Sequence, residues 1–519
     1  MPANLLALPI LLPVAAAIAL FAWPAGWSLS ARRAFASSAL SLSLGASLFI
    51  LYQSFTDQPL VLRMGGFMAP YGIVLVGDKL SSIMLTLSAG LALIVVSQGF
   101  AERPREDEHP LRLPLLFFLL AGLSLAFTTG DLFNLFVSFE VLLLASYGLL
   151  TLELRAGESP RALPYLTINL VASALFVAAS AFTYGLFGSL NFAELSVRAA
   201  ELSGDPRLTL LGTLFIIVFG IKAGIFPFYY LLPTGYPLLP ASIAAFFAGM
   251  LTKLGVYVLL RLFGGVLPAD LGALHLGLAW IGGLTMILGG LSAVAELRIK
   301  TILAYHIASQ IGYMAFAIGV FGEAAFAAAI FFLIHNIVVK SGLFLISGVI
   351  EREHGTDDLS AIGGLSRRSP FLAGAFLLLA FSLAGIPPLS GFFGKLMIIR
   401  AGLEADAVAL VIVSLIASFI TLASMLKIYL YAFMRPAPGD RLAPNSTEEP
   451  NDKDAPLQPA ARAMLRRLTP VLLLTLALGP FAEPAIHASI EASRELLDQE
   501  GYRRLILIDA NEPMEGKAP

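Results

Sequence analysis

Fourteen stretches of this chain stay apolar for about 18 residues or more, long enough to cross a bilayer as a helix. They lie near residues 4–22, 33–53, 78–99, 112–128, 131–152, 161–188, 207–232, 240–262, 272–293, 301–320, 323–350, 370–400, 405–433 and 470–489. Such runs leave few folds open. In hydrocarbon every backbone N–H and C=O must find its partner within the chain, so runs of this length become helices. The composition agrees: 58% of residues are hydrophobic and 13% charged, where soluble proteins carry about 25% charged residues. The chain therefore reads as an all-α polytopic membrane protein with about 14 transmembrane helices. No stretch is left for a soluble catalytic domain, which points to a transporter rather than an enzyme. The apolar N-terminus, 1–22, lacks a basic leader and runs long, so it reads as the first membrane helix and not a cleaved signal.

Charge and cysteine content narrow the function. A net charge of −2 suits neither a nucleic-acid partner nor a strongly basic membrane-binding patch. With no cysteine there is no disulfide, iron–sulfur or thiol chemistry in this chain. The six histidines form no metal-spaced cluster, and neither a metal nor a cofactor is expected.

Five lysines interrupt the apolar runs: Lys222, Lys253, Lys340, Lys395 and Lys427. Each costs about 2.5–3.5 kcal/mol at mid-helix on insertion scales. A chain carries that cost when the charges are paired, hydrated and useful, and moving ions or protons is the obvious use. Glu140 adds a carboxylate. It lies nine residues after Asp131 and thirteen before Glu153, roughly 14 Å into its helix at 1.5 Å per residue, near the bilayer middle. Its natural partner is Lys222, because a separable Glu–Lys pair in low dielectric can hold and release a proton. A static buried pair is the plainer alternative.

His335 and Lys340 share one helix. Five residues turn about 500°, so the two side chains point roughly 140° apart and face different neighbours. His306 is a possible relay, since histidine titrates near neutrality, and a packing histidine is the alternative. Lys427 lies near the end of its span, where its long stem can snorkel, and reads as structural. Taken in order, Glu140, Lys222, Lys253, His335, Lys340 and Lys395 make a string of protonatable groups at mid-membrane.

Two helices carry matching breaks, Lys222-Ala-Gly-Ile-Phe-Pro227 and Ala384-Gly-Ile-Pro387-Pro388, the latter followed seven residues later by Lys395. Proline removes a backbone hydrogen bond, and the freed carbonyls must then face protein or a water-filled cavity. Matched breaks in two halves of a chain point to an inverted-repeat transporter site.

Lysine and arginine set the orientation. With the N-terminus outside, cytoplasmic loops hold 18 of them and external segments 10, the five intramembrane lysines completing the 33. The segment 57–77, with Gly65-Gly66 and Pro70, reads as an external loop able to pair as strands. The polar segment 434–469 reads as a solvated cytoplasmic linker, so its Asn445-Ser446-Thr447 sequon is a chance match.

Glu140, the Lys222–Pro227 helix, the Lys253 helix, "LRIKTILAYHIASQIGYM" and "LAGIPPLSGFFGK" together resemble the antiporter-like subunits shared by respiratory complex I and Mrp-type cation/proton antiporters. The resemblance covers about residues 70–430. Within that family, "GMLTKLGVYVLLR" and "IHNIVVKSGLFLISG" are most similar to the D-type Mrp subunits, and lysine rather than glutamate at 395 points the same way. The resemblance implies two inverted five-helix repeats, each with a broken helix, at 112–262 and 272–433. Residues 1–111 would supply three preceding helices and 470–519 the last helix and tail. It also implies that Glu140 and Lys222 form the proton-handling pair, Lys253 connects, and Lys395 is the outlet. One departure stands out: "LLPTGYPLLPAS" carries Pro237 where such proteins often have a histidine.

The expected function is a proton-translocating subunit of a Na+ or K+/H+ antiporter in a bacterial cell membrane, working with other Mrp-type subunits and with lipid. The alternatives are a proton-pumping membrane-arm subunit of a redox complex, a self-sufficient transporter of a small organic solute, and a scaffold subunit without transport.

Overall fold

The computed structural model describes residues 2–24, 28–69, 71–102, 108–436 and 456–507. Its first helices are α1 (Leu8–Phe21), α2 (Leu29–Thr56) and α3 (Lys79–Glu102). Between α2 and α3, β1 (Leu60–Arg63) and β2 (Val74–Gly77) pair antiparallel, Leu60 opposite Gly77 and Arg63 opposite Val74. The loop thus forms the strands its sequence allowed; its Pro70 is outside the described residues.

The first half continues through α4 (Arg112–Thr128), α5 (Leu132–Glu153), α6 (Ser159–Phe187), the short amphipathic α7 (Phe192–Glu201) and α8 (Pro206–Ala223). After a break come α9 (Leu231–Gly235), α10 (Ala241–Phe246) and α11 (Thr252–Leu260). Two π-helical turns, Phe247–Leu251 and Arg261–Val266, bracket α11 and merge it with α10 into one span. The second half holds α12 (Gly272–Ala295), α13 (Ile299–Val320), α14 (Glu323–His354), the one-turn α15 (Leu365–Arg368), α16 (Pro370–Ala384), α17 (Ser390–Glu404) and α18 (Val408–Tyr429). The chain closes with α19 (Pro459–Arg467), α20 (Thr469–Ala477), α21 (Glu483–Leu497) and α22 (Gln499–Leu507).

Eleven helical segments among the described residues are long and apolar enough to cross a membrane by length and composition. Of the other three expected runs, two have the bounds and the break read from the sequence and one differs. α4 is apolar but has 17 residues, and 370–400 is split between α16 and α17. The expected single helix at 470–489 is not continuous: it stops at Ala477, turns through 478–482 and resumes as α21 as far as Leu497. Gly479-Pro480 explains the stop, because proline cannot continue the ladder.

The linker also needs correcting. Residues 437–455, with the Asn445 sequon, lie outside the described residues, but 459–467 are helical rather than solvated coil. α19 packs on α3 and α14, and the Gln458 N–H donates to Glu353 Oε2 at 2.9 Å.

Helix ends gather on two faces. On the hairpin face lie β1 and β2, α7 and α22; backbone bridges join Leu75 to Thr129 and Asp131 to Asn191. Asp131 caps α5 there, accepting from the Asn134 N–H at 2.8 Å, and Asn191 caps α7. Asp78 and Arg261 form a buried ion pair on the same face. On the opposite, linker face, ion pairs fasten neighbouring ends: Arg112 to Glu153 at 3.5 Å and Lys300 to Glu351 at 2.6 Å.

α11, α13 and α14 form the buried centre of the molecule. α12 packs on α13 through glycine. A Cβ at Gly282, Gly289, Gly312 or Gly319 would come within 2.4–2.8 Å of opposing backbone, so only glycine allows this approach.

Candidate functional site

The two helix breaks share one construction. α8 and α16 each end on a glycine in the left-handed region, Gly224 at φ 75° and Gly385 at φ 91°. At the first, the Gly224 N–H donates to Ile221 O at 3.1 Å and the Ile225 N–H to Gly220 O at 2.9 Å. At the second, the Gly385 N–H donates to Ser382 O at 3.2 Å and the Ile386 N–H to Phe381 O at 3.0 Å. This reciprocal closure satisfies carbonyls that a buried helix end would otherwise leave bare. The Phe226–Pro227 and Pro387–Pro388 peptides that follow are both cis. Ala-Gly-Ile before a proline at both places is a capping sequence, and Pro227, Pro387 and Pro388 keep the chain from resuming its helix at once.

Side chains around the breaks differ. Lys222, the penultimate residue of α8, is buried and donates to Asn169 O at 3.1 Å and Ser173 Oγ at 3.2 Å, both on α6. Its ammonium lies 5.8 Å from the Phe139 ring centroid. A cavity of about 20 Å³, room for one water, adjoins it between Asn169, Tyr165 and Tyr236. Glu140 acts on Lys222 electrostatically, but no ion pair joins them among the described residues. The direct pairing expected from the sequence is replaced by an interrupted one: Glu140 Oε1 is buried with no hydrogen-bond partner while Lys222 turns toward α6. The reason is geometric, since Asn169 and Ser173 offer acceptors closer than the carboxylate. Pro237 lies beside the fully buried Tyr236, whose ring packs on Tyr165 and Phe247.

At the second break, Lys395 comes from α17, after the break, and donates back to Ala384 O at 2.9 Å. Its ammonium lies 5.0 Å from the Tyr313 ring centroid. Beside it runs a short polar chain: His335 Nδ1 to Ser390 Oγ at 2.8 Å, and Ser390 Oγ to Ser382 Oγ at 2.9 Å. Sequence reasoning does not single out Ser382 or Ser390. The signal is present in Pro-Pro-Leu-Ser-Gly, but a serine's role depends on the histidine that packs against it from 55 residues away.

The centre of the string is fully buried. Lys253 Nζ donates to Ala248 O at 2.6 Å, inside the π-helical turn that precedes α11. Among the described residues Lys340, on α14, has no hydrogen-bond partner, and Lys253 and Lys395 are both close enough to act on it electrostatically. His335 feels all three lysines. Although their spacing turns them apart on α14, His335 and Lys340 both lie within electrostatic range of Lys253 and Lys395. His306, on α13, is buried with neither ring nitrogen bonded, within electrostatic range of Lys340, Lys395 and Lys427. Thr252 Oγ1, Gln310 Oε1 and Asn336 Oδ1 are buried in the same region without partners among the described residues. Buried polar atoms in such a row are the kind that ordered water satisfies. Lys427 stands apart, donating to Val294 O at 2.7 Å and to Glu296 O, where it caps the end of α12.

The arrangement of broken helices and buried bases defines a class. Residues 129–421 match the profile of the NADH:quinone oxidoreductase/Mrp antiporter transmembrane family, and the chain belongs to that family. Among its relatives, the D-type Na+/H+ antiporter subunit of Alkalihalophilus pseudofirmus is 38% identical over 504 residues, 97% of this chain and 99% of that protein. The Bacillus subtilis protein of the same name is 36% identical with the same coverage. A chain in the structure of the Mrp complex from Dietzia sp. DQ12-45-1b superposes with a TM-score of 0.87 at 29% identity, covering 97% of this chain and 99% of that one.

Proposed function

We propose that the chain is a proton-translocating subunit of a multisubunit monovalent cation/proton antiporter in the bacterial plasma membrane. The observation that carries this reading is the buried base string Lys253–Lys340–Lys395, with unbonded polar atoms beside it and a capped helix break near each end. In this reading a proton enters near Glu140 and Lys222, whose separation leaves each able to exchange protons with water. A proton held on one lysine repels a proton on the next, so occupancy advances stepwise through Lys253 and Lys340. His335, Ser390 and Ser382 offer a parallel hydrogen-bonded route to the second break, and Lys395 is the outlet. His306 can hold water in the same row. Moving one charge across 100 mV is worth about 2.3 kcal/mol, a scale that one repelled proton can match.

The same reading takes the hairpin face as external, and counts α4, the α16–α17 pair and the α20–α21 pair as crossings that complete fourteen. It places the two inverted repeats at 112–262 and 272–433, one break in each. Na+ or K+ would be the exchanged cation, with other Mrp-type subunits as partners. A redox-driven pump is the second reading, because the matched family includes NADH:quinone oxidoreductase subunits. The relatives named above, aligned over nearly the full chain, favour the antiporter.

The test is cation-dependent proton exchange in everted vesicles from an antiporter-deficient host expressing the complete complex. Glu140→Ala and Lys222→Ala should each lower exchange about tenfold or more, equivalent to about 1.4 kcal/mol of barrier. Exchange undiminished by both substitutions ends the proton-path reading.

A further inference from the structure

Outward faces of the membrane helices are mostly apolar. α12 exposes Leu276, Trp280, Leu284 and Leu291, and α18 exposes Ile412, Leu415, Ile416 and Phe419. α21 is different. Glu483, His487 and Glu491 recur every fourth residue and so share one face. Glu483 is exposed, and the His487 side chain is 70% exposed, its Nδ1 3.1 Å from Glu491 Oε1. No described residue forms an ion pair with Glu483.

The depth of this face follows from contacts at both ends of α21. Near its C-terminus, Ser493 Oγ donates to Glu323 O at 2.8 Å and Arg494 Nε to Glu323 Oε1 at 2.5 Å, at the first turn of α14. Just before its N-terminus, a Cβ on Gly479 would lie 2.9 Å from Pro388 O, at the second helix break. The 32 residues of α14 extend roughly 48 Å, so its middle, near Val338, is about 23 Å from Glu323. Glu483 lies 11 residues before Arg494, roughly 16 Å along the axis. It therefore sits roughly 7 Å from the midplane, inside a hydrocarbon core whose half-thickness is about 15 Å. An uncompensated carboxylate does not face lipid at that depth without a large cost.

We propose that this face of α21 is an interface with a different membrane subunit, whose helix sets a basic side chain against Glu483. This rests on the multisubunit reading above. Charge selects the partner: Glu491 is met by Lys79 at 3.8 Å and by His487, so among the described residues Glu483 is the carboxylate of the stripe left without an ion pair, and a basic group complements it. A second copy of this chain across a two-fold axis would set acid against acid. The neighbouring α20 and the turn after it expose Leu473, Leu474, Leu476 and Phe481, an apolar flank that the same helix can cover.

The chain contains no cysteine, so His487→Cys, one turn along the same face with Glu483 left in place, gives this subunit a single thiol, and the wild-type complex supplies the background from the others. A fluorophore there, in the complete complex in liposomes, is compared with one at Leu415→Cys on the apolar face of α18. Nitroxides on the lipid acyl chains should quench the label at 487 about fivefold less, and a photo-crosslinker there should capture another subunit. Equal quenching at both positions, or capture of a second copy of this chain, overturns the proposal. In unlabelled complexes, Glu483→Leu should reduce co-purification of the captured subunit about fivefold, and Glu483→Asp should retain it. Undiminished co-purification of Glu483→Leu also overturns it. Failure of the proton-path reading would leave co-purification unchanged, so the two ideas fail separately.

Discussion

The two helix breaks have the same backbone and different chemistry. Each closes its helix with a left-handed glycine, the same pair of hydrogen bonds and a proline turn. At the first break the lysine precedes the glycine, reaches sideways to Asn169 and Ser173, and has a carboxylate within electrostatic range. At the second the lysine follows the glycine, reaches back to Ala384 O, and has hydroxyls and His335 for company. The backbone device is shared, and in the proposed proton path it is the position of the lysine relative to it that distinguishes the two breaks. A lysine near a carboxylate can exchange one proton between two charge states. A lysine beside neutral relays suits passing a proton onward.

The two breaks differ most in steric tolerance. A Cβ on Gly391 would lie 1.7 Å from Ser382 O, against 2.9 Å from a movable Leu232 methyl at Gly224. Gly391→Ala should therefore prevent the second break from closing, at a cost above the usual overpacking range of about 1–3 kcal/mol. The expected result is failure of the complex to accumulate, read by immunoblot of membranes. Gly224→Ala should accumulate at reduced level, with backbone strain of about 1–2 kcal/mol for a side chain in the left-handed region. Equal accumulation of the two variants would show that the breaks are not built to different tolerances.

A smaller effect tests the serine relay. Ser390→Ala leaves His335 Nδ1 without its partner, a loss of about 1–3 kcal/mol, and should lower exchange about tenfold with the complex intact. Ser173→Ala leaves Lys222 its bond to Asn169 O and should lower exchange only about threefold, within the usual 0.5–1.5 kcal/mol of one hydrogen bond. Exchange in everted vesicles, normalised to the amount of subunit, compares them; a reversed order would refute the division of roles. The smallest effect belongs to Lys427. Lys427→Ala removes a cap from α12, costing about 0.3–1 kcal/mol, and should shift the thermal inactivation of the complex while exchange stays within about twofold.

Much of the frame is legible in the sequence because its causes are local. Apolar length marks a span, and Ala-Gly-Ile before proline marks a break wherever the helix lies. A glutamate or lysine far from either end of a span is at mid-depth by counting residues. The parts that are not legible depend on residues distant in sequence. Opposite charge at mid-depth pairs Glu140 with Lys222, but α6 supplies closer acceptors. The His335–Ser390–Ser382 chain and the Lys253 contact with the π-helical turn require the packed neighbours. The last apolar run reads as a single helix because Gly479-Pro480 sits inside it, where hydropathy does not see a backbone break. α19 escapes a sequence reading because a short amphipathic helix buries one face only against partners, here α3 and α14.

The sequence by itself determined that this is a helical membrane protein with buried bases and two matched helix breaks, since hydrocarbon permits no other use of such runs and no casual placement of such charges. Which base meets which partner depends on helix packing across the chain. A hydrogen bond is settled over a few tenths of an ångström, and that distance is set by how the helices pack.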